Sequence, residues 1–306
     1  MRLNFLYSSC STRPIVSALL WAILLIYTPS PAAQSTSTTT LRSMARIYMA
    51  YGNYDKAQTI AETALAQAQR QNITGEELAM CLIDLGTVYS YQDMLEESAD
   101  MLNKGIQQQK QSVGNHPYVA YTLQILSDVY CRAGQYDRAQ ETLDKALLIM
   151  SRYHKQQDRE MLTFQASSAK LLAAQGQAAQ AGILYCEILA RTIELYGDNH
   201  LQTANVLMGA ARADLLEGNI DSAGQRLNQA MLIQEKYFGP NHQMLIEAWL
   251  MMAQINRAAG NAAEAEIWLD KVIQAAQTRH NAVTLARLYE KINTIRTQNV
   301  YMAMAK

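Results

Sequence analysis

A residue suited to a left-handed turn recurs along this chain at a nearly constant interval. The residues are Gly52, Asp93, Gly134, Gly176, Gly218 and Gly260, spaced 41, 41, 42, 42 and 42 apart. A fixed period of this length signals a solenoid, in which each unit buries its apolar face only by stacking on its neighbours. The unit is clearest from Pro117 to Tyr153. Leu123, Leu126 and Tyr130 place apolar side chains at i, i+3 and i+7 before Gly134, and Ala139, Leu143, Ala146 and Leu147 continue in helical spacing after it. That pattern is a helix, a tight turn and an antiparallel helix. Glycine takes a positive φ without a Cβ penalty, and Asp93, standing where glycine is missing, is a residue type that tolerates it.

Aligning the units on the turn exposes columns of small residues. Five positions after it stand Ala57, Ser98, Ala139, Ala181, Ala223 and Ala265; seven before it stand Ala45, Gly86, Ser127, Ala169, Ala211 and Ala253. Two helices approach closely only where little lies between them, so these columns mark the crossing of each pair. Nine after the turn the column is Ala61, then the larger Leu102, Leu143, Tyr185, Leu227 and Leu269. Four before it come Tyr48, Tyr89, Tyr130 and Leu172, then Asp214 and Asn256. A carboxylate at a packing position needs a partner or water. Either both polar groups reach solvent, or Arg212 or Arg257 pairs with Asp214.

These columns resemble the tetratricopeptide repeat, whose usual period is 34 residues. The period here is longer by about eight, and the surplus falls between repeats. There the chain reads Gly114-Asn115-His116-Pro117, Gly197-Asp198-Asn199-His200 and Gly239-Pro240-Asn241-His242. This is similar to the longer repeats of the kinesin light chain type, with their Gly-Pro-Asp-His-Pro linker. Asn72 to Glu76 and His154 to Arg159 lack the element. The resemblance covers about residues 39–280. It implies an all-α fold, a right-handed α-α superhelix of six helical hairpins over 39–281. Ala282 to Gln298 reads as a further helix capping the last apolar face, within a C-terminal segment 282–306.

The N-terminus is built differently. Arg2 and Arg13 precede an uncharged apolar run, Ile15 to Tyr27, followed by Pro29-Ser30-Pro31-Ala32-Ala33. A basic region, a short apolar core and small residues form a secretory signal pattern over residues 1–32, with 33–38 a flexible linker. Thirteen residues are short for a membrane span, which needs roughly 20. Cleavage after Ala32 places the mature chain outside the cytoplasm, periplasmic or secreted; an uncleaved segment anchors it to a membrane. Cleavage removes two arginines and no acid, taking the formal net charge from −1 to −3. Neither value points to nucleic acid.

Cys81, Cys131 and Cys186 remain, an odd number at unlike repeat positions, and read as buried thiols rather than a disulfide framework. His116, His200 and His242 sit one or more repeats apart, too far to converge on one metal ion, and read as linker residues hydrogen-bonded locally. No nucleophile motif, phosphate-binding loop or metal-ligand spacing appears. The chain therefore reads as a binding module that needs no cofactor and no metal, not an enzyme.

Specificity must then lie at inner positions that vary between repeats. In the tetratricopeptide family the first helix of each pair lines a concave groove. The family's groove positions fall here on Arg46, Tyr121, Gln124, Asp128, Arg132, Lys170, Asn205, Arg212, Gln254 and Arg257. The resemblance implies a protein or peptide partner held by basic and amide side chains. The excess of cations favours an acidic segment.

Overall fold

The computed structural model describes residues 37–155, 158–277 and 282–304, and the chain from Thr38 onward forms one compact unit. Thirteen α-helices, one 3-10 turn and no strand occur among the described residues. Twelve of the helices pair as α1 (Thr38–Ala50) with α2 (Tyr54–Arg70), α3 (Glu76–Tyr91) with α4 (Leu95–Val113), and α5 (Pro117–Arg132) with α6 (Tyr136–Met150). Next come α7 (Met161–Ala174) with α8 (Ala178–Tyr196), α9 (Leu201–Glu217) with α10 (Ile220–Phe238), and α11 (Ile246–Ala258) with α12 (Ala262–Gln277). The last helix, α13 (Ala282–Met304), runs six residues beyond the predicted end. Its Ile292 and Ile295 are buried with Trp249, Leu269 and Val272, closing the apolar end of the sixth pair.

The six turn residues all have positive φ, from 64° at Asp93 to 84° at Gly218. The small columns lie at the crossings: Ala57, Ser98, Ala139, Ala181, Ala223 and Ala265 have no exposed surface. Where the column carries serine, the hydroxyl is satisfied across the crossing. Ser98 Oγ donates to the Gly86 carbonyl at 2.7 Å, and Ser127 Oγ to that of Ala139 at 2.8 Å. In α4 the run Gln107-Gln108-Gln109-Lys110-Gln111 buries only Gln109, whose Oε1 accepts from Thr122 Oγ1 at 2.9 Å.

The surplus length between repeats has a definite use. α4, α8 and α10 each run 19 residues and stop at Gly114, Gly197 and Gly239, all at positive φ. A histidine then starts the next helix. His116, His200 and His242 accept through Nδ1 from the backbone N–H two residues on, at 3.3, 3.1 and 3.2 Å. The ring thus does what Asn or Ser does as an N-cap. The imidazoles of His200 and His242 also stack on Tyr196 and Phe238 from the helix just ended. The two linkers without this element start their helices with no side-chain cap, after Gly75 and after Glu160.

Substituting two helical glycines should separate packing from propensity. A Cβ at Gly105 in α4 would stand 2.7 Å from Ile83 Cγ1, whereas one at Gly182 in α8 meets nothing nearer than 3.8 Å. Gly105→Ala should cost about 1 kcal/mol net, since overpacking exceeds the gain in helix propensity. Gly182→Ala should add about 0.5–1 kcal/mol. Urea unfolding midpoints that move in opposite directions would bear this out.

Candidate functional site

Stacking the pairs leaves α3, α5, α7, α9 and α11, with parts of α8 and α13, around a central cavity of about 710 Å³. A cavity of this size falls within the range of ligand sites. Its walls combine amide and hydroxyl groups with charged side chains of both signs. Gln124 Nε2 bridges from α5 to the Thr163 carbonyl at 3.1 Å and to Ser167 Oγ at 2.9 Å on α7. Asn205 is exposed on the α9 wall, and Tyr185 forms part of the floor. Gly209 lets that tyrosine in, because a Cβ there would lie 2.4 Å from its ring. Burial pushes the Tyr185 hydroxyl well above the usual phenol range, with Arg212 opposing. It is therefore a neutral donor at any ordinary pH.

Of the ten inner residues singled out in the sequence, six meet at this cavity: Gln124, Asp128, Arg132, Lys170, Asn205 and Arg212. Gln254 lines an adjoining cavity of about 520 Å³, shared with Arg212, Glu247 and Lys291. The other three are not among the walls. Tyr121 packs against Phe164, with ring centroids 5.3 Å apart. Arg46 joins Arg42 on the buried carboxylate of Asp84, at 2.9 and 2.8 Å, tying the first repeat to the second. Arg257 is largely buried and pairs with Glu266 of α12 at 3.0 Å. Both arginines are structural because an acid one helix away already claims them. Sequence spacing shows the face a side chain leaves from, not the partner it finds.

The cations of the cavity are likewise paired. Lys170 bonds Asp128, Arg132 reaches Asp93 at 2.6 Å and the Ser90 carbonyl at 2.9 Å, and Arg212 stands 3.8 Å from Glu247. The groove is therefore a ladder of ion pairs across successive repeats, not the cationic surface that a count of arginines suggests. Arg212 and Lys170 keep much of their side chains exposed. Lys291 of α13 was not singled out in the sequence, because it lies outside the repeat pattern. It brings a further ammonium to the cavity and to Asp93, at 3.1 Å.

The Asp214 expectation needs correction. Neither Arg212 nor Arg257 pairs with it, and it does not reach water. It is buried, accepts from Ser222 Oγ at 2.8 Å, and faces Arg226 NH1 at 3.3 Å. Both partners lie on α10, the second helix of the same hairpin. Asp214 and Ser222 thus stand where Tyr130 and Arg138 meet in the third repeat. Asn256 turns back on its own helix, donating to the Met252 carbonyl at 3.0 Å. Of the cysteines, Cys81 and Cys131 are buried as expected, and burial pushes the Cys81 thiol up to about 11. Cys186 differs: it is exposed, with Arg226 NH2 3.6 Å from its sulfur.

The superhelix curls far enough for its first turns to meet its last repeat. Gln243 Nε2 donates to the Tyr51 carbonyl at 2.5 Å, and Tyr54 Oη contacts Met244 Sδ at 3.8 Å. Gly52 is required twice over here. Its φ is +68°, and a Cβ would fall 1.8 Å from Gln243 Nε2. Asp93 ties the same seam from the second turn through Lys291, so one residue serves both the left-handed turn and the closure.

Comparison with known proteins fits this geometry. The sequence model of the tetratricopeptide repeat matches residues 36–111 and 209–278. Over these two stretches the chain is built of tetratricopeptide repeats. Among solved structures, this repeat protein is similar to a Rap protein complexed with Competence and Sporulation Factor. The TM-score is 0.65 at 14% identity, covering 94% of this chain and 82% of that one. It is also similar to NprR in complex with its cognate peptide NprX, with TM-score 0.64 and 17% identity over 95% of this chain and 79% of that one. Kinesin light chain repeats from Podosopora anserina align at 22% identity over 65% of this chain and 95% of that one, with TM-score 0.48. At these identities the likeness is one of fold. None of the curated proteins matches the sequence.

The closure of this repeat superhelix should depend on pH. Burial opposes ionisation of Asp93, but Lys291 and Arg132 outweigh it and hold the carboxyl below its usual range. A depressed folded value means the pairing stabilises above the unfolded value of about 4 and is lost as pH falls through the folded one. The melting temperature of the parent protein should therefore drop more steeply below about pH 4 than that of Asp93→Asn. Parallel curves would show that the pairs contribute nothing.

Proposed function

We propose that this protein is a non-enzymatic scaffold that binds a peptide or an extended protein segment in its central cavity. The observation that carries this reading is the cavity itself. Shared columns build its frame, while its walls hold side chains that differ from repeat to repeat: Gln124, Asp128, Lys170, Asn205 and Arg212. A rigid frame with varied polar walls is how a repeat protein presents a selective surface without a catalytic group. Amide and hydroxyl groups suit the backbone of an extended chain, which offers a donor and an acceptor at each residue. The fold likeness to Rap, seen complexed with Competence and Sporulation Factor, and to NprR, seen with its cognate peptide, supports a binding role for this chain.

The partner's chemistry follows from the ladder. Arg212 is held loosely by Glu247 at 3.8 Å and Lys170 is part-exposed, so a carboxylate on the partner could displace Glu247 and take the two cations. An acidic segment is the partner proposed. Lys170→Glu combined with Arg212→Glu should abolish binding in a pull-down from the native source, while Lys155→Glu on the exposed linker should leave it intact. Undiminished capture by the double variant would overturn the acidic partner.

The proposal extends to location. The signal pattern in residues 1–32 supports export to the periplasm or medium, with the repeats acting there as an assembly factor; retention of that segment would make the protein a membrane-anchored receiver of signals instead. No helix among the described residues is long and apolar enough to cross a membrane. N-terminal sequencing of the protein from its native source should read Ala33 or a near neighbour. Met1 would favour the anchor.

A further inference from the structure

The inner helices can be compared position by position along the wall of the superhelix. Thirteen residues before each turn stand Thr39, Met80, Tyr121, Thr163, Asn205 and Glu247, so only the sixth repeat places a charge there. Six before each turn stand Arg46, Thr87, Asp128, Lys170, Arg212 and Gln254. The approach of Glu247 to Arg212 joins these two positions across neighbouring repeats. One boundary earlier the same two positions hold Asn205 and Lys170, a neutral amide and a cation. Glu247 is thus the acid that breaks its own column, and it does so opposite an inner cation.

Its pair with that cation is also the loosest of the ladder. Arg132 is held by Asp93 at 2.6 Å and by the Ser90 carbonyl at 2.9 Å, Lys291 by Asp93 at 3.1 Å, and Lys170 by Asp128. Arg212 stands 3.8 Å from Glu247 and makes no hydrogen bond among the described residues. A guanidinium can grip a carboxylate through two parallel bonds, and at this distance that capacity is unused. Glu247 keeps 63% of its side chain exposed, so the pair adds little to folding. As a tethered carboxylate, however, it is present beside Arg212 at an effective concentration of about millimolar or more, whatever the partner's own concentration. Glu247 also walls the adjoining cavity of about 520 Å³, so a displaced side chain has open space to enter, with Lys291 as a second cation there.

We infer that Glu247 is an autoinhibitory residue: its carboxylate occupies the partner's place on Arg212 and lowers the affinity of the cavity for acidic segments. The inference rests on the acidic partner proposed above and adds what regulates its binding. A partner reaches Arg212 by displacing an internal acid of the same chemistry, so the sixth repeat sets the threshold for entry.

Fluorescence anisotropy with a labelled octaglutamate peptide tests this on the whole protein, each affinity being read on protein whose circular dichroism matches the parent. The parent should bind the peptide, and Lys170→Glu combined with Arg212→Glu should abolish binding. Glu247→Gln should bind about threefold tighter, the scale set by a half-exposed ion pair that no longer has to be displaced. Glu247→Asn, which gives the sixth repeat the residue of the fifth, should do the same. Glu187→Gln, which removes the same charge from α8 on an outer helix, should leave affinity unchanged. In an Arg212→Gln background the gain from Glu247→Gln should vanish, because a double-mutant cycle isolates the contact between the two. No gain in either Glu247 variant, an equal gain in Glu187→Gln, or a gain that persists without Arg212 would overturn the autoinhibitory role and leave the acidic groove. Binding by neither the parent nor Glu247→Gln, or binding by the parent that survives the double charge reversal, would overturn the acidic partner as well.

Discussion

The structure depends on how closely two helices can approach at a position with almost no side chain. At each hairpin crossing the second helix presents a methyl or a hydroxyl, fully buried, and the first presents glycine, alanine or serine. Helices packed at about 8–10 Å have little room for more. Every other property of the superhelix follows from that approach: the depth at which Leu102, Leu143, Leu227 and Leu269 are buried, the stacking angle between pairs, and the curvature that brings the ends together. Enlarging any member of these columns would therefore disturb both its own hairpin and the alignment of the inner wall on either side.

The cavity shows a second balance. Its cations are carried on the inner helices, but each is met by an acid from a neighbouring repeat, so the interior is held together by the groups that would otherwise attract a ligand. An ion pair at partial exposure contributes modestly and can be exchanged for another of similar geometry. A charged partner competing for Arg212 would thus exchange one contact for another, which favours selectivity over raw affinity.

The frame was legible in the sequence, and the reasons are physical. A positive-φ turn admits few residue types, and a helix crossing admits only small ones, so both leave a periodic trace. The linker histidines were legible as locally bonded residues because their spacing forbade convergence. What could not be read were side-chain partners. Arg46 and Arg257 stand at inner positions, yet Asp84 and Glu266 turn them into structural ties. Asp214 finds Ser222 and Arg226 across its own hairpin rather than an arginine on its own helix. Cys186 sits among apolar neighbours in sequence but on the outer surface in space. Lys291 and Gln243 lie outside the repeat columns, so nothing periodic marked them, although both help to close the superhelix.

The seam also bears on the order in which the molecule assembles. Within a hairpin, contacts join residues only a dozen or two apart, as between Ser98 and Gly86, so each pair can form as soon as its two helices exist. The bond from Gln243 to Tyr51 spans 192 residues and needs every intervening pair to be in place. On contact order, closure is expected late in folding, after the hairpins it joins. A chain shortened at its C-terminal end would keep its hairpins and lose its ring. Fraying would begin where the two ends meet.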